Sequence, residues 1–188
     1  MEDATLAINP ASTALEDEAS LVASARSDPA AFTELYRRYV TPVYRYLYKW
    51  VGNQAEAEEL TSQVFTDVLE GLVRYQERGS FAAWLFTIAR RRAIAAYRRR
   101  RPMLGLEDAE GINDQTEEPL DQVVRSEQLE RMAALFAGLD EDQRELLRLR
   151  FTAGLSYAEI SDLLGRSEGA VKMAVHRLLR QMNEKWEE

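Results

Sequence analysis

The chain has 188 residues, 46% of them apolar and 30% charged, with 32 acidic and 24 basic side chains and a formal net charge of −8. This suits one domain or two small ones with real cores and excludes a wholly disordered chain. With no cysteine and one histidine, a disulfide framework and a thiolate site are excluded, and a His-ligated metal centre or a Ser/His/Asp relay all but excluded.

No apolar run nears the roughly 20 residues of a membrane span, and no signal peptide opens the sequence. A cytoplasmic protein without membrane insertion is expected. A pI near 4.9 argues, for the chain taken whole, against a nucleic-acid binder. Taken by segment, the charge says otherwise. Residues 1–30 carry net −5, residues 31–101 net +6, residues 102–130 net −8 and residues 131–188 net −1. The acidity lies in a tail and a linker, and the block between them is basic.

In chain order, residues 1–16 are Ala/Ser/Thr-rich and acidic and are expected to be a disordered tail. A first folded domain spans 17–101. Asp28-Pro29 opens a helix with Phe32, Leu35, Tyr36 and Tyr39 at helical spacing. Pro42 starts or kinks the next segment, with Val43, Tyr46, Leu47 and Trp50 on one face. Asn53 and Glu56 resemble a capping box ahead of the stripe Leu60, Val64, Phe65, Val68 and Leu72. Ser80 is an N-cap for a helix running from Phe81 to about Arg101, where Pro102 stops it.

Residues 102–119, with Pro102, Gly105, Gly111, Pro119 and six carboxylates, read as a flexible acidic linker. The second domain spans 120–188. A helix is predicted from Leu120 to Ala137, ended by Gly138. Asp140 to Gln143 then caps a helix with Leu146, Leu147, Leu149 and Phe151 inward. Ser156-Tyr157-Ala158-Glu159 is a capping box for a short helix, Gly165-Arg166-Ser167 a tight turn, and a longer helix follows from Glu168 with Val171, Val175, Leu178, Leu179 and Met182 inward. The fold class is all-α.

Three segments carry chemistry. Residues 156–181 have the form of a helix-turn-helix, whose second helix reads base edges near its N-terminus. With Val171, Val175 and Leu178 inward, Glu168, Gly169, Lys172, Met173, His176, Arg177 and Arg180 face outward. An ordinary helix pair with a solvated charged face is the alternative. A lone exposed histidine such as His176 is more often unremarkable than functional, and it lacks partners for a metal. The second segment is Arg90, Arg91, Arg92, Arg98, Arg99, Arg100 and Arg101: seven arginines in twelve residues. Complementing the helix dipole accounts for two or three of them, not seven; Arg90, Arg91 and Arg98 recur at helical intervals and can share a face suited to a phosphate track or groove contact. Third, the loop Arg74 to Ser80 places Tyr75 between arginines and can hold an unstacked base, a weak signal alone. No catalytic constellation and no glycine-rich phosphate loop is present, so neither a cofactor nor a small-molecule substrate is expected.

Together these motifs resemble a bacterial sigma-70 family factor of the extracytoplasmic-function (ECF) type, which retains regions 2 and 4. Region 2 is echoed by Asp28-Pro29-Ala30-Ala31-Phe32, by Ala57-Glu58-Glu59-Leu60-Thr61 and by Phe81-Ala82-Ala83-Trp84-Leu85 through Ile88-Ala89-Arg90. Region 4 is echoed by Asp142-Gln143-Arg144-Glu145-Leu146-Leu147, by Gly154-Leu155-Ser156-Tyr157-Ala158-Glu159-Ile160 and by Ser167-Glu168-Gly169-Ala170-Val171-Lys172.

The resemblance implies a non-enzymatic subunit of RNA polymerase that recognises promoters and helps open them. By the same resemblance, Glu59, Leu60, Gln63 and Phe65 contact the clamp helices of the core polymerase. Tyr75, Arg78, Ser80, Arg90, Arg91, Arg98 and Arg99 serve the −10 element and melting. Ser167, Glu168, Gly169, Lys172, Met173, His176 and Arg177 read the −35 element, with Arg150 supporting the phosphates. Promoter DNA and core RNA polymerase are the implied partners, and an anti-sigma factor is a further one the resemblance admits. The sequence departs from the family pattern at Arg91 and Ala95, where Asn and Asp are common, and at Leu69-Glu70-Gly71, where a tryptophan is common. A stand-alone helix-turn-helix regulator is the alternative; it leaves the arginine helix idle. A helical adaptor that binds only proteins is a third possibility.

Overall fold

A computed structural model describes residues 10–76, 79–100 and 131–187, with side chains from residue 17 and, in the second stretch, to residue 99. Every regular element among the described residues is helical. The first block holds α1 (Pro10–Ser24), α2 (Pro29–Val51), α3 (Gln54–Leu72) and α4 (Phe81–Arg100). In the second, residues 131–137 are helical. There follow α5 (Glu141–Leu147), which runs on into a π-helical turn over Arg148–Thr152, then α6 (Tyr157–Leu164) and α7 (Glu168–Glu187). The acidic segment 102–119 and the predicted start of the helix at Leu120 lie outside the described residues.

Local chemistry fixes most helix ends. The Asp28 carboxylate accepts from the Ala30 N–H at 2.9 Å, and Pro29 takes the first helical position, where its missing N–H costs nothing. Asn53 accepts from Glu56 N, and Ser80 Oγ from Ala83 N. Asp140 with Gln143 and Ser156 with Glu159 each form a full reciprocal capping box. Gly165 closes α6 at φ 64°, a left-handed value that favours glycine and gives the helix-turn-helix its tight turn.

Four expectations change. Helix α1 begins at Pro10, inside the segment expected to be tail, and its alanines are strong helix formers. Its later part is anchored: Val22 and Ala25 are buried, and the Tyr39 phenol donates to Glu18. Pro42 neither starts nor ends a helix, because α2 passes through it. Tyr39 packs on Phe81 before the proline, and Val43 and Tyr46 are fully buried after it, so packing on both sides offsets the lost hydrogen bond. Phe151 is 59% exposed, not inward. The π turn, closed by Ala153 N–H to Arg148 O at 2.8 Å, adds a residue and moves Phe151 out of register with Leu147. Leu179, also expected inward, is 39% exposed.

The two blocks share one core. Leu35, Val43, Leu47, Val64, Leu85 and Phe86 fill the first, and Leu149, Ile160, Val171 and Val175 the second, in one continuous cluster. Helix α4 presents Ala82, Ala89, Ala93 and Ala96 inward, which lets neighbouring backbones approach closely. It also packs on α6, while α2 packs on the π turn. At this seam the Tyr46 phenol donates to Glu145 Oε1 at 2.7 Å.

Burial first, then the Glu145 charge and hydrogen bond, push the Tyr46 phenol well up from its ordinary value; the nearby Trp50 indole acts weakly the other way. Burial first, then Glu18, raises Tyr39 similarly. A raised folded value gives stability that is complete below the unfolded value of about 10 and is lost as pH climbs from there toward the folded values. Urea midpoints should therefore fall as pH rises past about 10. A Tyr39→Phe, Tyr46→Phe double variant, weaker at neutral pH, should fall less steeply; equal slopes for the two proteins would contradict this account.

Candidate nucleic-acid interface

The sequence of α7 separates its two faces cleanly. Val171, Val175 and Leu178 are buried, while Glu168, Gly169, Lys172, Met173, His176 and Arg177 are exposed, Met173 by 62%. The helix starts at the turn after Gly165, where Ser167 Oγ accepts from Ala170 N. Nothing lies within 4 Å of where a Gly169 Cβ would sit, so this end of the helix is open to close approach. Arg150 sits behind it rather than beside it. Its guanidinium donates to Leu155 O at 2.9 Å and stacks 4.9 Å from the Tyr157 ring, which in turn lies 6.2 Å from His176. Arg150 thus braces the turn that carries α6.

The arginines of α4 divide by direction. Arg91, Arg98 and Arg99 are exposed and form no ion pair with the described residues. Arg92 grips Asp67 of α3 with both arms, Nε to Oδ2 at 2.7 Å and Nη2 to Oδ1 at 2.5 Å, and reaches Gln63. This hydrogen bonding raises its pKa further. Arg90 turns the other way, toward the second block, and its Nε lies 3.0 Å from Glu145 Oε1. Its neighbour on the chain therefore faces solvent while Arg90 itself is engaged.

The loop before α4 is built around Tyr75, which is 7% exposed. Its ring packs on Phe81 and Trp84, and Arg26 of the segment after α1 donates to its carbonyl at 2.8 Å. In this arrangement the Tyr75 ring organises the loop and is not presented to a base. Ser80 is half-buried as the N-cap of α4, and Arg78 lies outside the described residues. Gly79, at φ 97°, lies against Asp162 of α6.

On α3, Leu60 and Phe65 are buried, Phe65 edge-on to Tyr36. Glu59 is exposed and accepts from Gln63 at 3.0 Å. The outer face of α3 adds two residues the apolar stripe did not single out: Leu69 and Val73, 53% and 70% exposed. They fall outside the inward period, which is the signal that marks them. Where the expected tryptophan is replaced, Gly71 receives the Trp84 ring of α4, 3.0 Å from where a Cβ would sit. Among the described residues no cluster of metal-ligating side chains occurs, and no helix is long and apolar enough to cross a membrane.

The division within α4 gives a direct expectation. Arg92→Ala should lower stability by about 1 kcal/mol, since it removes a bidentate, part-exposed pair. Arg91→Ala, Arg98→Ala and Arg99→Ala should stay within about 0.5 kcal/mol of the parent, as surface positions do. Denaturant midpoints measure both; equal losses at Arg92 and Arg91 would refute the division.

Known proteins are similar to this chain in sequence and in fold. A family model described as Sigma-70 region 2 matches residues 35–102, and one described as Sigma-70, region 4 matches residues 129–182. The ECF RNA polymerase sigma factor BldN of Streptomyces coelicolor is 37% identical over 81% of this chain and 59% of its own length. Thus the match spans about three fifths of that relative. The ECF RNA polymerase sigma factor SigX of Bacillus subtilis is 32% identical over 83% of this chain and 84% of its own. The solved structure of CnrH in complex with the cytosolic domain of CnrY superposes with a TM-score of 0.65 at 20% identity, covering 90% of this chain and 97% of that one. That likeness concerns the fold. The chain belongs to the sigma-70 family, as an RNA polymerase sigma factor of the ECF type, with region 2 in its first block and region 4 in its second.

Proposed function

We infer that this chain joins core RNA polymerase in the cytoplasm and directs it to promoters, reading the −35 element with α7 and engaging the −10 element with α4 and the loop before it. The observation that carries this is the exposed row Lys172, Met173, His176 and Arg177 on a helix whose other face buries Val171, Val175 and Leu178. A recognition helix needs its base-reading side chains on the outward face near its N-terminus. Ser167, Glu168 and Gly169 sit at that end, and Arg150 supports the motif by bracing its first helix. The separate exposed row Arg91, Arg98 and Arg99 supports a second phosphate contact, which a stand-alone helix-turn-helix regulator does not need.

Polymerase docking belongs to the outer face of α3. There Glu59, Leu69 and Val73 are exposed beside half-buried Gln63, and buried Leu60 and Phe65 hold that face in place. An exposed apolar pair beside charged groups suits a protein partner. The chain's part is recognition and positioning, with the polymerase supplying the chemistry. The complexes of CnrH with CnrY and of RpoE with NepR support an anti-sigma factor as a further partner.

Purified chain plus core polymerase should start transcription at a cognate promoter. Lys172→Ala or Arg177→Ala should weaken −35-dependent binding by about 5- to 150-fold, the effect of about 1–3 kcal/mol per contact. Core binding should persist, since α3 and α7 are different surfaces. Loss of core binding in a folded Lys172→Ala protein, or tight operator binding without polymerase, would overturn this assignment.

A further inference from the structure

We propose that Met173 makes α7 a reader of thymine: its thioether packs on the C5-methyl group of one thymine in the major groove of the −35 element. One base is then chosen by an apolar contact in the middle of a cationic helix face. This rests on the reading of α7 as the −35 helix. Val171, Val175 and Leu178 mark the inward line of α7. At about 100° per residue, the line half a turn away runs through exposed Gly169, Met173, His176 and Arg180, with Lys172 on one flank and Arg177 on the other. Met173 therefore holds the centre of the outward face, and the cations stand around it.

Met173 is 62% exposed, and among the described large apolar side chains only Val73 is more so. Leu179, the other exposed large apolar side chain on α7, lies more than a turn and a half further on and off this line. A recognition helix reads bases near its N-terminus, so Met173 is the apolar group in position to do so. A thioether carries no charge and accepts hydrogen bonds only weakly, so what it gains from DNA is burial. In the major groove, donors and acceptors mark every base pair, and the one apolar group in that code is the thymine methyl. A G·C pair pressed against the thioether would lose water from its polar edge and receive no partner, so the same contact also rejects G·C. The unbranched, polarisable side chain adapts readily to a methyl group. A helical side chain leans over the turn before its own, and for Met173 that turn carries Gly169. Nothing lies within 4 Å of where a Gly169 Cβ would sit, so the thioether has room to settle and the base edge room to approach.

The test uses holoenzyme assembled from the full chain and core RNA polymerase. Duplex DNA randomised over the −35 and −10 segments is selected for binding, and the enriched sequence is remade with each thymine of its −35 element, on either strand, replaced in turn by deoxyuridine. That change removes the C5-methyl and leaves the hydrogen-bonding groups of the pair in place. At one position it should weaken binding by about fourfold, the worth of one buried methyl. Met173→Ala holoenzyme should bind the thymine and deoxyuridine forms at that position alike. Met173→Leu, which keeps an apolar end of similar volume, should keep the preference for thymine. Both substitutions fall on an exposed position, where the fold tolerates change.

An enriched −35 element with no thymine on either strand, a deoxyuridine series without a step, or a step that survives in Met173→Ala would each overturn the thymine contact. If scrambling the enriched −35 element leaves holoenzyme binding unchanged, the assignment of α7 falls with it. If scrambling weakens binding while the methyl makes no difference, only the thymine contact falls.

Discussion

The whole arrangement turns on one buried carboxylate. Glu145 stands on a short helix of region 4, with Tyr46, Arg90 and Arg148 around it and Trp50 beneath Arg148. A charge taken out of water must recover its hydration from fixed donors. This requirement couples elements far apart in sequence: Tyr46 needs α2 in register across Pro42, Arg90 needs α4 to run from its Ser80 cap, and Arg148 needs α5 to run unbroken from Glu145. An error in any of them would leave Glu145 short of a donor. Apolar burial supplies most of the cohesion of the two cores, but it is non-directional. The polar knot is what selects one relative placement of the regions.

The same accounting explains how an acidic chain can carry nucleic-acid surfaces. Charge is sorted by direction as well as by segment. Along α4, one arginine stabilises the helix pair through Asp67, one faces the seam through Glu145, and Arg91, Arg98 and Arg99 face solvent. Along α7, cations share the outer face with Met173 and His176 while aliphatic side chains fill the inner one. Seven neighbouring arginines are thus not one interchangeable patch.

Features set by neighbours within a few residues were legible from the sequence. The caps at Asp28, Ser80, Asp140 and Ser156, the left-handed Gly165 and the two faces of α7 all follow from local hydrogen bonding and a 3.6-residue period. Features set by distant partners were not. Pro42 reads as a break because its rescue comes from Phe81 and from the core beyond. Tyr75 reads as a free ring because Phe81, Trp84 and Arg26 cover it only after folding. Arg90 and Arg92 read alike because Glu145 and Asp67 lie 55 and 25 residues away. Leu60 and Phe65, named for a partner surface, belong to the apolar stripe and are buried in the core.

The π turn at Arg148–Thr152 carries a consequence for how such chains can diverge. Insertions and deletions are usually absorbed by loops, yet here an extra residue is housed inside a helix, directly after the polar knot. Removing any one residue between 148 and 152 would restore an ordinary helix while turning everything downstream by about 100°, the rotation of one helical step. Both halves of region 4 would keep their caps and their inward stripes, but the exposed face of α7 would point elsewhere. The length of this five-residue stretch acts as an angular gauge between the two ends of the molecule, and it should drift far less readily than its amino-acid composition.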